Sequence, residues 1–124
     1  MPTDMIDYYG LVEEFCVKYD FPVGDAGEAH IASVWDGLNS EMDELAGELF
    51  DDVQDKENLT KELNDVLFLC FKLAVALGIN VEEAFERVAK SNLTKGNKDG
   101  TYTKVKGKLQ KGDAYVAPDL SDLV

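Results

Sequence analysis

The sequence predicts an all-α fold, a four-helix bundle-like subunit followed by a Gly/Lys-rich C-terminal arm or short hairpin. Three observations predict it. Apolar residues recur at helical spacing through four segments. Capping and turn residues fall between those segments. No set of alternating segments is large enough to build a sheet-based core.

The first helix spans about residues 4–19, where Ile6, Tyr9, Val12, Phe15, Cys16 and Tyr19 share a face. The next stretch, Asp20 to Gly27, holds Pro22, Gly24 and Gly27 and reads as a connecting loop. A second helix, about 28–51, carries Ile31, Val34, Trp35, Leu38, Met42, Leu45 and Leu49 on one face. The third, about 57–78, is apolar on nearly every side from Val66 onward, broken only by Lys72, and Gly78 supplies its C-terminal signal. Asn80 with Glu83 three residues on is a capping-box arrangement, which opens a fourth helix over about 81–91. Residues 92–120 then form a basic arm that alternates weakly through Tyr102, Lys104, Val105 and Leu109.

At 124 residues the chain reads as one domain, 1–124, long enough to bury a core. With 45% hydrophobic and 30% charged residues, the composition argues against wholesale disorder. The net charge of −13 argues against binding nucleic acid or an anionic membrane. Residues 90–111 depart from it: seven lysines (90, 95, 98, 104, 106, 108 and 111) stand against Asp99, a net +6 that leaves the remainder at −19. Cys16 and Cys70 fall on apolar faces without metal spacing and read as reduced core thiols. No signal peptide precedes the first helix and no apolar run approaches the roughly 20 residues of a membrane span, so the expected compartment is cytoplasmic.

The chemistry sits in the placement of the acids. At about 100° per residue, with Glu41 at zero, Glu44 projects to about 300° and Glu48 to about 340°. Val34, Leu45, Leu38 and Leu49 span roughly 20° to 80° on the same projection. The three acids thus border the apolar face of the second helix. On the third helix Glu62 and Asp65 border Leu69, Leu73 and Val66 in the same way. Antiparallel packing of the two helices would turn both borders into one groove, where the carboxylates repel. Mg²⁺, or Mn²⁺, relieves that conflict, because hard cations take carboxylate and water oxygens. The competing reading is a solvated acidic face, with Glu62 complementing the dipole of its helix.

The elements "SEMDEL" at 40–45 and "KELNDVLFLCFKLAVALGI" at 61–79 are similar to the ExxE and ExxD motifs of the MazG-like branch of the all-α nucleoside triphosphate pyrophosphohydrolases. "SNLTKGNKDG" and "KLQKGDAYVAPDL" resemble the SNxxK and KGxxYxxPDL elements of one MazG-like subgroup. The resemblance covers roughly residues 28–120. It implies an α-helical bundle assembled as a homodimer or homotetramer. It also implies Mg²⁺-dependent cleavage of a (deoxy)nucleoside triphosphate between the α and β phosphates, giving the monophosphate and pyrophosphate. Carried over by position, Glu41, Glu44, Glu62 and Asp65 are the catalytic metal ligands, and Asn92 and Lys95 contact the nucleotide or its phosphates. Ser40 stands where many relatives have an acid, Asn64 where a small residue is usual, and Glu48 is placed to supply the carboxylate that Ser40 does not.

The remaining residues fit around that reading. Lys95 and Lys111 are the lysines best placed by motif to hold a triphosphate. Trp35 is either a base-stacking ring or, by preference, core or interface packing. His30 reads as structural, and with no compact Ser-His-Asp pattern metal-assisted hydrolysis is the economical mechanism, with Glu44 or Glu48 as proton acceptor. Two other classes stay open: a non-catalytic acidic interaction protein, for which the charge argues, and a nucleotide-binding sensor with a degenerate site.

Overall fold

The computed structural model describes residues 5–124 and forms two compact units, the first ending at Ile79 and the second running from Asn80 to Val124. The first unit holds α1 (Tyr8–Lys18), α2 (Glu28–Leu49) and α3 (Lys56–Leu77). The second holds α4 (Val81–Asn92), a two-stranded hairpin of β1 (Lys104–Val105) and β2 (Lys108–Leu109), and a 3-10 turn at Ser121–Leu123. The fold is all-α, as the helical spacing predicts, with the hairpin as the sole sheet among the described residues.

Each helix is bounded by a chemical signal. The predicted first helix begins at Asp4, outside the described residues, but Met5 and Ile6 are not helical. Asp7 caps α1 instead, its carboxylate accepting the Gly10 N–H at 2.8 Å. The second helix stops at Leu49, short of the predicted 51. Asp51 turns its carboxylate onto the Val53 N–H at 3.2 Å, an Asx turn that competes with helix, and acids are unfavourable at a helix C-terminus. Asp55 caps α3 through the Asn58 N–H at 3.2 Å. Gly78 closes it in the left-handed region, φ 69°, as its position predicts. Asn80 accepts the Glu83 N–H at 3.3 Å, which is half of the predicted capping box; the Glu83 carboxylate binds Arg87 Nε at 3.0 Å.

The helices α2 and α3 pack antiparallel. Glu48 meets Asn58, Glu41 meets Glu62 and Asp65, and Gly37 faces Leu69, so one index falls as the other rises. A Cβ at Gly37 would stand 3.3 Å from the Leu69 side chain, so the glycine permits the close approach. On another side of α3, Val12 and Cys16 of α1 close over Val75, ringed by Tyr9, Phe15, Phe21, Phe68 and Phe71. The rings of Phe15 and Phe68 meet edge-on with centroids 5.0 Å apart. Lys72 is accommodated among them, its Nζ 3.7 Å from the centre of the Phe21 ring. The α1–α2 loop is stapled to the end of α3: Gly24 N–H donates to the Val75 carbonyl at 2.8 Å and Ala26 N–H to that of Ala76 at 3.1 Å.

One thiol departs from expectation. Cys16 is buried, and burial pushes its thiol up from the ordinary range. Cys70 is exposed. It lies with Leu63 and Leu67 at spacings of three and four on α3, and both leucines are exposed too. A helix apolar all round presents more faces than α1 and α2 cover.

In the second unit the arm is a hydrogen-bonded structure. Lys106 and Gly107 both take positive φ, 52° and 77°, the turn geometry that a two-residue hairpin loop requires. Gly112 N–H donates to the Lys95 carbonyl at 2.6 Å and Ala114 N–H to that of Gly96 at 3.1 Å. Buried Ser91 donates its hydroxyl to the Val116 carbonyl at 2.6 Å, and Thr94 Oγ1 accepts the Val116 N–H at 2.9 Å. Arg87 anchors the C-terminus through both carboxylate oxygens of Asp122, 2.5 and 3.0 Å away.

Candidate metal centre

The antiparallel α2–α3 pair fixes the site. Glu41 borders the buried face of α2, and one turn-and-a-bit of α3 presents Glu62 and Asp65 opposite it. One carboxylate oxygen from each of these three residues lies within 4.8 Å of the others. Their access to water is graded, Glu62 being 9% exposed and the other two half-buried. Glu62 Oε2 and Glu41 Oε2 are buried and meet no hydrogen-bond donor of the protein. A buried carboxylate oxygen left without a donor is costly, and a carboxylate crowded by two others is costlier still.

That arrangement fits a divalent cation. The donors are all hard oxygens, they come from two helices, and Glu41 and Glu62 each carry one buried oxygen with no protein partner. One protein cation does approach. Lys61 Nζ donates to Asp65 Oδ2 at 2.7 Å and lies 3.8 Å from Glu62 Oε1. The hydrogen bond to Asp65, reinforced by the charges of Asp65, Glu62 and Glu41, holds the lysine above its ordinary pKa.

The family model of phosphoribosyl-ATP pyrophosphohydrolase matches residues 23–92, more than half of the chain. The chain belongs to that family. No individual curated protein matches it. Phosphoribosyl-ATP pyrophosphohydrolases fall within the all-α superfamily that the ExxE and ExxD elements resemble, and membership brings a nucleotide pyrophosphohydrolase type of activity. The family is typically dependent on a divalent metal, which agrees with the three converging carboxylates.

The matched segment contains all five acids named from the sequence, and the structure separates them. Glu41, Glu62 and Asp65 converge. Glu44, one turn after Glu41, is exposed and stands outside the cluster. Glu48 is held at the end of the groove, where its Oε1 accepts the Asn58 amide at 2.6 Å. Trp35 lies on α2 with its side chain largely exposed, 54%. His30 packs its ring against Phe21, with centroids 5.8 Å apart.

Asn92, Lys95 and Lys111 belong to the second unit. Asn92 ends α4 and lines an open pocket of about 470 Å³ together with Leu93, Tyr102, Lys104 and Leu109. The backbone of Lys95 is tied into the loop, its carbonyl accepting from the Gly112 N–H and its own N–H donating to the Asn92 carbonyl. The Lys111 Nζ rests 4.9 Å from the centre of the Tyr115 ring. Sequence reasoning missed two neighbours of the carboxylates, Asn58 and Lys61. Lys61 was open to detection, since it directly precedes Glu62 and stands four residues before Asp65.

Proposed function

We propose that the protein is a Mg²⁺-dependent nucleoside triphosphate pyrophosphohydrolase, cleaving (deoxy)nucleoside triphosphates between the α and β phosphates. The observation that carries this reading is the convergence of Glu41 on α2 with Glu62 and Asp65 on α3, the two glutamates each keeping a buried oxygen without a donor. Mn²⁺ satisfies the same donor set. When bound, the ion supplies positive charge to the phosphate oxygens and acidifies water.

The chain's own residues do the rest. Glu41, Glu62 and Asp65 hold the ion. Glu44 is exposed beside Glu41 and free of the cluster, which suits it to take a proton from the attacking water; Glu48, tied to Asn58, is less free to do so. The water oxygen bonds to the α phosphorus as the bond to the bridging oxygen breaks. Pyrophosphate departs with that electron pair, and the proton rests on Glu44. Asn92, Lys95 and Lys111 contribute the polar and positive groups for the nucleotide, and the lysine-rich arm is the one basic region of a strongly acidic chain.

A homo-oligomer belongs to the same proposal. Trp35, Met42 and Leu49 are exposed at seven-residue intervals on α2, and Leu63 and Leu67 are exposed on α3. Apolar stripes of this kind are covered in assemblies. Light scattering coupled to size exclusion tests it, a monomer being the contrary result.

Incubation with each nucleoside and deoxynucleoside triphosphate, and with phosphoribosyl-ATP, in the presence of Mg²⁺ tests the activity. Pyrophosphate release from one or more triphosphates supports the reading. Release from phosphoribosyl-ATP alone would correct the substrate. Nucleotide binding without turnover would point to a sensor, and neither binding nor turnover to an acidic interaction protein.

A further inference from the structure

We propose that Lys61 is a tethered cation of the carboxylate groove: it occupies Asp65 while no divalent ion is bound, must release Asp65 for the ion, and so sets the ion concentration at which the site fills. The inference rests on the metal reading above and extends it to a residue outside the ligand set.

The geometry singles out this lysine. Its ammonium donates to Asp65 Oδ2 at 2.7 Å and stands 3.8 Å from Glu62 Oε1, so one cation engages two of the three converging carboxylates. The compensation is partial. Glu41 Oε2 and Glu62 Oε2 remain buried without a donor, and one positive charge faces three negative ones. A divalent ion held by all three carboxylates carries twice the charge of the ammonium and reaches Glu41 as well, so it displaces the lysine. The lysine can leave cheaply: its side chain is 66% exposed, and a four-carbon stem swings into water without disturbing packing. Helix stability alone does not explain the contact, because a lysine four residues before an acid is the less favourable order for such a pair. The cost to the ion is that it must compete with a resident charge for Asp65.

The test is calorimetric titration of MgCl₂, and separately MnCl₂, into the full-length protein without nucleotide at physiological salt. The variants are Lys61→Met, Lys61→Gln and Lys61→Arg, with Lys56→Met as a control that makes the same charge change on the same helix. Removing the competing ammonium is expected to tighten ion binding by about two- to fivefold in both neutral variants, the scale of a solvent-exposed pair. Lys61→Arg should bind as the wild type does, and Lys56→Met should not shift, since screening confines the effect to the contact. Melting without the ion should occur at lower temperature in Lys61→Met than in Lys56→Met, and the gap should close when Mg²⁺ is added. Unchanged affinity in Lys61→Met and Lys61→Gln, or an equal shift in Lys56→Met, would overturn the inference while leaving the ion site intact. Absence of saturable ion binding by the wild type would instead overturn the ion site, and this inference with it.

Discussion

Glu41 of α2 and Glu62 of α3 each hold a buried Oε2 that no protein donor meets, and with Asp65 they bring ligand oxygens within 4.8 Å of one another. Two helices that pack antiparallel through Gly37 and Leu69 could have placed apolar side chains at that level as well. Acids there destabilise the fold unless something positive joins them. The chain thus carries, in its first unit, three converging carboxylates that Lys61 compensates only in part.

Glu41 and Glu44 are expected to separate ion binding from turnover. Glu41→Gln should weaken Mg²⁺ binding and pyrophosphate release together, because it removes a converging ligand. Glu44→Gln should leave ion affinity near the wild type while turnover falls by about 10²–10⁴, the usual worth of a positioned base. Calorimetry beside a pyrophosphate assay reads both. Equal loss of ion affinity in the two variants would make Glu44 a ligand instead.

Val75 is fully buried against Val12 and Cys16. Val75→Ala should cost about 2 kcal/mol, transfer and cavity effects combined. Urea denaturation followed by far-ultraviolet dichroism measures it. A cost near zero would mean that the α1–α3 contact is not a packed core.

Gly112 is needed for space. A Cβ there would meet the Gly96 carbonyl oxygen at 2.5 Å and the Asn97 side chain closer still. Gly112→Ala should therefore break the 2.6 Å bond from Gly112 N–H to the Lys95 carbonyl. Hydrogen exchange should show lost protection at residues 112 and 114, with the amides of α3 still protected. If Lys95 contacts the nucleotide as proposed, nucleotide affinity should fall with it.

Acid should loosen the second unit first at its carboxylates. Hydrogen bonds from Arg87 hold Asp122 below its ordinary pKa, and those from Ser121 and Thr101 do the same for Asp119 and Asp99. Each depressed group contributes stability that is fully present above the unfolded value, about 4. That contribution is lost as pH falls through the lower folded value. Protection of the amides of residues 101 and 121, taken relative to the intrinsic exchange rate at each pH from neutral to below 4, should fall only in the acid range. Asp122→Asn should flatten the part of the profile that depends on Arg87.

The sequence made the all-α class legible because helical spacing, Gly78 and Asn80 all spoke to local structure. Helix ends were legible where one signal acted and shifted where two competed, as at Asp51. The carboxylate borders of α2 and α3 could be projected from spacing alone, but which acids meet depends on helix register. Spacing alone set Glu44 and Glu48 beside Glu41, and it is the register that brings Glu41 to Glu62 and Asp65. Cys70 misled for a related reason: apolar spacing shows that a face is apolar, not that another helix of the same chain covers it. The hairpin was half legible, since Lys106-Gly107 has one residue suited to positive φ and one that is not.

Pyrophosphate release from a panel of nucleoside triphosphates, measured for the wild type and for Glu62→Gln with and without Mg²⁺, tests the central claim most directly. The wild type should release pyrophosphate and the monophosphate only when Mg²⁺ is present. Glu62→Gln should lose more than the roughly 10–100-fold that outer-shell partners of a metal cost, while keeping its helical dichroism. Wild-type turnover that persists in the chelated protein, or a Glu62→Gln variant as active as the wild type, would contradict the account.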